Sequence, residues 1–331
     1  MYVGMSDLHR EHNDLKTATQ LLHTSQTLGE LAGLPQNPYR WCAAMARIRV
    51  AQGDLDGALD LLDQAERLYD ANFSPNVRPI ASRKTRVWVS QGRLGEALDW
   101  AREQGLSVEN ELSYLHEFDH ITLARVFLAC YQRDHSKKYI SGVLGLLERL
   151  LIAAEERGGK GSVIEILVLQ AIAYHTQGDL PAALLPLQRA LALAEPEGYI
   201  RMFLDEGSSM EQLLAAVRRL PEATAREIMP RQGLPTYTDK LLAAFEAEKQ
   251  NSEDTPDLPP ASSAQTLIEP LSERELEVLK LLRSELSGPE IAHQLIVSIN
   301  TFRTHTKNIF IKLGVNDRRA AIRRAEELGL F

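Results

Sequence analysis

Gln-Gly-Asp-Leu stands at residues 52–55 and again at 177–180, and an Ala-Leu pair follows each copy after two further residues. Gln-Gly-Arg-Leu at 91–94 continues in the same way, and weaker copies lie at 132–134 and 13–15. From the first full copy onward the spacing is 39, 41 and 45 residues. Each copy predicts a helical hairpin, because the glycine can end one helix and the Ala and Leu that follow can pack a second helix against it.

A hairpin of this size cannot bury its apolar face alone, so neighbouring hairpins are expected to stack into a superhelix with a concave surface. The spacing is longer than the roughly 34 residues of a tetratricopeptide repeat. The helix before the turn at 13–15 is short and has no evident cap. Because an uncapped end exposes apolar surface, we expect either that another copy of the protein covers it or that the chain is part of a longer one.

Residues 271–331 show four further helix starts of a different kind. At 272–275 and 287–290 a serine and the glutamate three positions later match a capping box. Ser298 and Asp317 are predicted to cap the third and fourth helices. Apolar residues recur in each helix and predict the inward face of a small bundle: Leu276, Leu279, Leu282, Ile291, Leu295, Phe302, Ile309, Leu313, Ala321, Ala325 and Leu328.

The third of these helices has an unusual outer face, formed by Asn300, Arg303, Thr304 and Lys307. Residues 298–325 carry seven Lys or Arg and one acidic residue, a net charge of +6 in a chain of net charge −8. A solvated face is the plain alternative, but a basic pole on an acidic protein is the expected footprint of phosphate contact. A helix, a three-residue turn and a basic helix have the geometry that places the second helix in a major groove.

The C-terminal motifs resemble those of the LuxR-type helix-turn-helix output domain. The resemblance rests on Leu-Ser-Glu-Arg-Glu at 271–275, Asn-Thr-Phe-Arg-Thr-His at 300–305 and Lys-Leu-Gly-Val at 312–315, and it runs for about 60 residues without a gap. It implies that 288–307 is the helix-turn-helix proper and that 301–312 is the recognition helix.

The resemblance also implies roles for individual residues. Arg303 and Lys307 are expected to contact DNA with Thr304 between them, and the last helix, 317–328, is the usual dimer contact. Gly288-Pro289 replaces a polar-basic pair of the family, which removes a phosphate contact. The residues predicted to bind DNA are Ser298, Asn300, Thr301, Arg303, Thr304, Lys307, Lys312 and Arg318.

The whole arrangement is similar to the large maltose-regulator (MalT-like) group of LuxR-type proteins, in which a helical-repeat sensor precedes the DNA-binding domain. We predict an all-α chain, with a tetratricopeptide-like helical-repeat superhelix at 1–250, a flexible Pro/Ser linker at 251–265, and a small four-helix helix-turn-helix domain at 266–331. Members usually carry an ATP-binding domain ahead of the repeats, and the sequence contains no G-x-x-x-x-G-K-[ST]. The glycines at 158–162 have the wrong spacing and are interpreted as an interhelix loop.

Two other patterns allow more than one interpretation. His116-Glu117-Phe118-Asp119-His120 matches H-E-x-x-H, the zinc-hydrolase motif, but it also begins an ordinary repeat helix and no third ligand is marked. A ligand-binding role for these histidines is a further alternative. Aromatic residues in successive hairpins favour core packing over stacking on a small ligand: Trp41, Trp88, Trp100, Tyr39, Tyr114 and Tyr131.

The composition argues against a disulfide-rich, metal-cluster or membrane protein. Cys42 and Cys130 are the two cysteines, which suggests neither a disulfide framework nor a metal cluster. Nothing approaches a membrane-spanning apolar run, and no signal segment is evident. Together with the resemblance to LuxR-type regulators, these features lead us to expect a cytoplasmic, non-enzymatic transcription regulator without a cofactor. Its expected partners are double-stranded DNA, a second copy through the last helix, RNA polymerase, and a small-molecule inducer or protein on the repeat domain. The alternative is an interaction scaffold, or a remnant of a larger regulator, whose C-terminal domain only dimerises.

Overall fold

The structure is a computed structural model, and it describes residues 1–32, 36–69, 76–219, 234–253, 273–283, 290–291, 294–295, 306, 309, 315 and 318–327. The chain divides into two compact units, 1–254 and 255–331. No strand occurs in the described ranges, and the predicted all-α class is confirmed. The predicted domain and linker boundaries remain predictions.

Consecutive helices of the first unit pair into hairpins. Within the described residues these helices are α1 (Tyr2–Glu11), α2 (Leu15–Ala32), α3 (Asn37–Ala51), α4 (Leu55–Leu68), α5 (Ile80–Ser90), α6 (Leu94–Glu103), α7 (Glu117–Asp134), α8 (Lys137–Glu156), α9 (Lys160–Thr176) and α10 (Leu180–Ala194). A 3₁₀ turn, Tyr114–His116, precedes α7. The unit ends with α11 (Arg201–Leu204), α12 (Gly207–Arg218) and α13 (Leu234–Glu253).

The repeated Gln-Gly motif forms the turn inside three hairpins, as predicted. Gly53, Gly92 and Gly178 have φ angles of 79°, 73° and 82°, in the left-handed region where glycine carries no steric cost. In two of these turns the next residue caps the second helix. Asp54 accepts a hydrogen bond from the N–H of Gly57, and Asp179 accepts one from Ala182.

The weak copy at 132–134 does not form the turn itself. These residues still belong to α7, and the left-handed residue is His135, with φ 50°. The hairpin α7–α8 is therefore present, but its turn lies beyond the matched motif because α7 runs on to Asp134.

Removing a cap is expected to weaken the repeat unit measurably. Asp179→Ala should lower the free energy of unfolding by about 1 kcal/mol, because Asp179 Oδ1 accepts a hydrogen bond from the N–H of Ala182 at 3.0 Å. Asp60→Ala is the control, since it removes an aspartate carboxylate from an exposed position of α4. Urea unfolding followed by circular dichroism measures both variants. Equal losses in the two would contradict a capping role.

The hairpins form two layers. The first helix of each hairpin lies on the inner layer, where α1 contacts α3 and α7 contacts both α5 and α9, and the second helices pack outside. Helix α9 is apolar almost all round, and Ile164, Ile166 and Leu167 are at most 1% exposed. Its burial on every side anchors the largest core cluster of the described residues, which reaches from Leu94 to Phe245.

The two ends of the repeat array meet. The N–H of Ile200 donates to the carbonyl of Glu11 at 2.7 Å, and His12 Nε2 lies 2.9 Å from the carbonyl oxygen of Glu197. Helix α11 contacts α1 as well as α9, so the hairpins form a closed ring. The same chain covers this side of the first hairpin, while Met1 and, in α1, Met5 and Leu8 stay exposed. The expectation that another copy or further chain covers the first hairpin therefore stays a prediction.

Buried arginines hold this closure. Arg10 Nη2 donates to Asp205 Oδ2 at 2.5 Å, and Arg201 Nε donates to Asp205 Oδ1 at 2.9 Å. Arg201 also donates to Asn13 at 3.3 Å and pairs with Glu248 of α13. Burial alone would raise the pKa of Asp205, but the charges of Arg10 and Arg201 lower it to about 2.

The second unit contains α14 (Glu273–Leu282) and α15 (Arg318–Glu327). Further helical residues lie at 290–291, 294, 306 and 309. Its buried residues are Val278, Leu279, Leu282, Ile291, Ile309, Ala321 and Ala325, with Leu276 and Leu295 packed against them. The predicted inward face is confirmed for all of these except Val278, which was not predicted. Outside the described residues lie Phe302, Leu313, Leu328 and the four predicted caps, Ser272, Ser287, Ser298 and Asp317.

Candidate functional site

One of the eight predicted DNA-binding residues, Arg318, lies among the described residues. The others fall outside them: Ser298, Asn300, Thr301, Arg303, Thr304, Lys307 and Lys312. Their roles remain predictions.

Arg318 has a structural contact of its own. It is the first residue of α15, and its Nε donates to the carbonyl of Leu282 at 2.7 Å. Leu282 is the last residue of α14, where carbonyl groups have no partner within the helix. Arg318 therefore joins α14 and α15, two helices of this unit, and this role was not predicted from sequence.

The H-E-x-x-H segment is occupied by contacts within the protein. Helix α7 begins at Glu117, which pairs with Arg157 and accepts a hydrogen bond from Ser162 at 2.5 Å. His120 is 2% exposed, and its Nδ1 lies 2.8 Å from the carbonyl oxygen of His116. Among the described residues, no group of three or more His, Cys, Asp or Glu is placed to hold a metal ion. The motif reads best as the start of a repeat helix.

The aromatic residues mostly pack between helices. Trp100 is 4% exposed, and the partly buried Trp41 donates from its indole N–H to the carbonyl of Leu22 at 3.0 Å. Tyr114 differs from them, because it is 58% exposed and faces the inside of the ring.

The ring surrounds a partly open cavity with a volume of about 1460 Å³, here called the central cavity. Its wall is formed mainly by the inner helices α1, α3, α5, α7 and α9 and by residues 199–209, and residues 77–78, Tyr114, Arg157 and Gly159 also line it. Small-molecule sites occupy roughly 300–1,000 Å³, so the central cavity has room for an organic ligand. It is the candidate sensing site of the repeat unit.

Charged residues from three inner helices meet in the wall of the central cavity. Glu165 of α9 accepts hydrogen bonds from Arg86 of α5 at 2.7 Å and from Arg125 of α7 at 2.8 Å. Arg125 also pairs with Glu206 at 2.7 Å. Burial alone would raise the pKa of Glu165, but the charges of Arg86 and Arg125 lower it to about 2. This network ties neighbouring hairpins together across the cavity wall.

Glu165, Arg86 and Arg125 were not predicted from sequence as site residues, although one signal was available. Glu165 is the single charged residue between Lys160 and the end of α9, in a helix that is otherwise apolar. A carboxylate is rarely buried without a partner. An isolated glutamate in such a helix therefore indicates a buried arginine nearby, but it does not say which one.

Within the described ranges, no helix combines the length and the apolar character that crossing a membrane requires. Residues 1–220 match the family model of the MalT-like TPR region. Residues 269–325 match the model of the bacterial regulatory proteins of the luxR family.

A similar solved structure is the crystal structure of BtubC (BKLC) from P. vanneervenii, which is 15% identical and has a TM-score of 0.36. The alignment covers 80% of this chain and 98% of that one. Such a low TM-score carries no argument about the fold. The two family matches cover the repeat ring and the C-terminal helices, and the chain therefore belongs to the MalT-like family of LuxR-type regulators, with a MalT-like TPR region followed by a luxR-family domain.

Proposed function

We propose that the chain is a sequence-specific, DNA-binding transcription regulator that acts without enzymatic activity in the cytoplasm. The observation that carries this proposal is the luxR-family match at 269–325. The net charge of +6 on residues 298–325 supports it, since phosphate contact requires a basic surface. We further propose 1–250 as the sensor, 251–265 as the linker and 266–331 as the DNA-binding domain.

The proposed reading of DNA uses the predicted recognition helix. Arg303, Thr304 and Lys307 would contact base edges, while Lys312 and Arg318 would anchor phosphates. The predicted cap and first turn, Ser298, Asn300 and Thr301, would complete the contact. Two copies would pair through the last helix on a two-fold related site, and RNA polymerase would be the downstream partner.

The repeat ring is the proposed sensor. A ligand or protein in the central cavity would change whether two DNA-binding domains can approach each other. The cavity volume of about 1460 Å³ supports a small-molecule signal.

Binding to duplex DNA over a salt series tests the proposal. The whole chain and residues 266–331 are both expected to bind, with log K falling steeply as log salt rises. Binding by the short piece alone would mean that the repeat ring masks the DNA-binding domain, and release by a signal would then be the regulated step. Failure of both to bind would contradict the proposal and favour the scaffold.

A further inference from the structure

The central cavity has more cationic than anionic side chains. Its wall contains eight Arg or Lys and six Asp or Glu, although the whole chain is net negative. All six carboxylates are already paired with an arginine. Lys160 is paired with Glu197, which is not part of the wall. The excess positive charge must therefore belong to particular arginines.

Those arginines are Arg78, which precedes α5, and Arg83, in the first turn of α5. Among the described residues neither of them forms an ion pair, and their polar contact is with each other, since Arg83 Nε donates to the carbonyl of Arg78 at 3.2 Å. The nearby carboxylate of Asp7 forms an ion pair with Arg47 at 2.6 Å. Both guanidinium groups thus face the cavity without an ion-pair partner among the described residues, and the carboxylate near Arg83, that of Asp7, is shared with Arg47.

A third arginine of α5 has spare hydrogen-bonding capacity at the same place. Arg86 stacks on Phe118 with 3.8 Å between its guanidinium carbon and the ring centroid, and Arg78 lies 5.7 Å from the same centroid. Arg86 Nη1 donates to Glu165, but Arg86 Nη2 is buried and has no hydrogen-bond partner. A buried N–H donor without a partner is costly, so an acceptor at this point would be favoured.

The electrostatics of the cluster agree with this geometry. Burial and the charges of Arg47 and Arg78 together lower the pKa of Arg83 to about 10, although Tyr39 and Asp7 act to raise it. Burial also lowers the pKa of Arg86, to about 10. The charge of Glu165 acts to raise this pKa, and the charges of Arg125 and Arg78 act to lower it. Keeping Arg83 and Arg86 charged therefore costs free energy, and a bound anion would lower that cost.

We propose that the central cavity binds a small phosphate monoester, whose dianionic phosphate is held by Arg78, Arg83 and the free Nη2 of Arg86 beside Phe118. Two unpaired cations match the two negative charges of such a group, and guanidinium forks match phosphate oxygens in geometry. The remaining cavity would hold the organic part of the ligand. This inference rests on the proposed function, because it names the class of signal that the repeat ring would sense.

Calorimetric titration of the full chain without DNA tests the inference. The probes are inorganic phosphate, glucose 6-phosphate and glucose. We expect phosphate and glucose 6-phosphate to bind and glucose to fail. Arg83→Gln should weaken phosphate binding by about tenfold or more, since one charge-assisted contact is lost. Arg102→Gln is the matched control, because it removes the same charge from an exposed pair with Asp99 and should change nothing.

A melting temperature and a second variant show whether weaker phosphate binding comes from a lost contact or from a misfolded protein. Arg83→Gln should melt at the same temperature as the native chain or higher in phosphate-free buffer, since it removes an unpaired charge. Arg78→Gln serves as a second variant, because Arg78 is exposed and its loss leaves the core intact. Absence of phosphate binding, or equal binding by Arg83→Gln and Arg102→Gln, would overturn the inference. The salt series on DNA is run without phosphate, so failure of DNA binding would count against the proposed function alone.

Discussion

Asp205→Asn is expected to lower the free energy of unfolding of the repeat ring by roughly 3 kcal/mol. The carboxylate of Asp205 is shared by Arg10 and Arg201, whose side chains are 5% and 4% exposed. Removing its charge leaves two buried cations without full compensation, and it breaks the contact between the two ends of the ring. The expected loss of free energy is at the low end for a buried pair, because the side chain of Asp205 itself is 26% exposed.

The same substitution is expected to change the response to acid. In the folded chain the pKa of Asp205 is lowered from its ordinary value of 3.8 to about 2. The native protein therefore gains stability from the Asp205 carboxylate above pH 3.8, and it loses that gain as the pH falls toward 2. The difference in stability between the native chain and Asp205→Asn should accordingly shrink over this interval.

Tryptophan fluorescence during urea unfolding measures this effect on the ring alone. All three tryptophans, Trp41, Trp88 and Trp100, belong to the repeat unit. Asp99→Asn is the control, since it removes a carboxylate from an exposed pair with Arg102 and should cost at most about 0.5 kcal/mol. If Asp205→Asn lowered the free energy of unfolding no more than Asp99→Asn, the ion pairs of Asp205 would not stabilise the contact between the two ends of the ring.

The repeat could be predicted from sequence because its information is local. A glycine at Gly53, Gly92 or Gly178 needs only its neighbours to specify a left-handed turn, and the helices on either side follow from apolar spacing. The shifted turn at His135 shows the limit of this reasoning, since no glycine marks the residue that leaves the helix.

Closure of the ring could not be predicted in this way. It depends on the sum of small rotations between successive hairpins, which no single turn specifies. Arg10 and Asp205 are 195 positions apart, and in sequence each looks like an ordinary surface residue. For the same reason Arg83 and Arg86 were not predicted as site residues, because they come to line one cavity only when the inner helices pack into a ring.

In the C-terminal unit the helical pattern identified most of the described core. Leu279, Leu282, Ile291 and Ile309 are buried as predicted, since they recur at helical spacing. Val278 is also fully buried, because α14 buries a wider stripe than one row of leucines. Spacing gives the centre of a buried face more reliably than its width.

Arg303→Ala is expected to relax the base preference of the full chain at one position of its site, costing about 1–3 kcal/mol there. The physical reason is that an arginine fork can donate two hydrogen bonds to a guanine edge, which alanine cannot replace. Selection of bound duplexes from a random pool, carried out with the native chain and with the variant, measures the preference. The same base preference in both pools would exclude Arg303 from base reading.

Arg318→Ala provides the contrast, because it is expected to weaken binding to all sequences alike. Two mechanisms lead to that result. Arg318 is predicted from the sequence to contact a phosphate, and its Nε also donates to the carbonyl of Leu282 and so positions α15. Loss of a phosphate contact would make the slope of log K against log salt shallower by about 0.9, whereas loss of the helix contact would lower affinity with the slope unchanged. We expect affinity to fall for every sequence, and the slope decides which of the two contacts accounts for the loss.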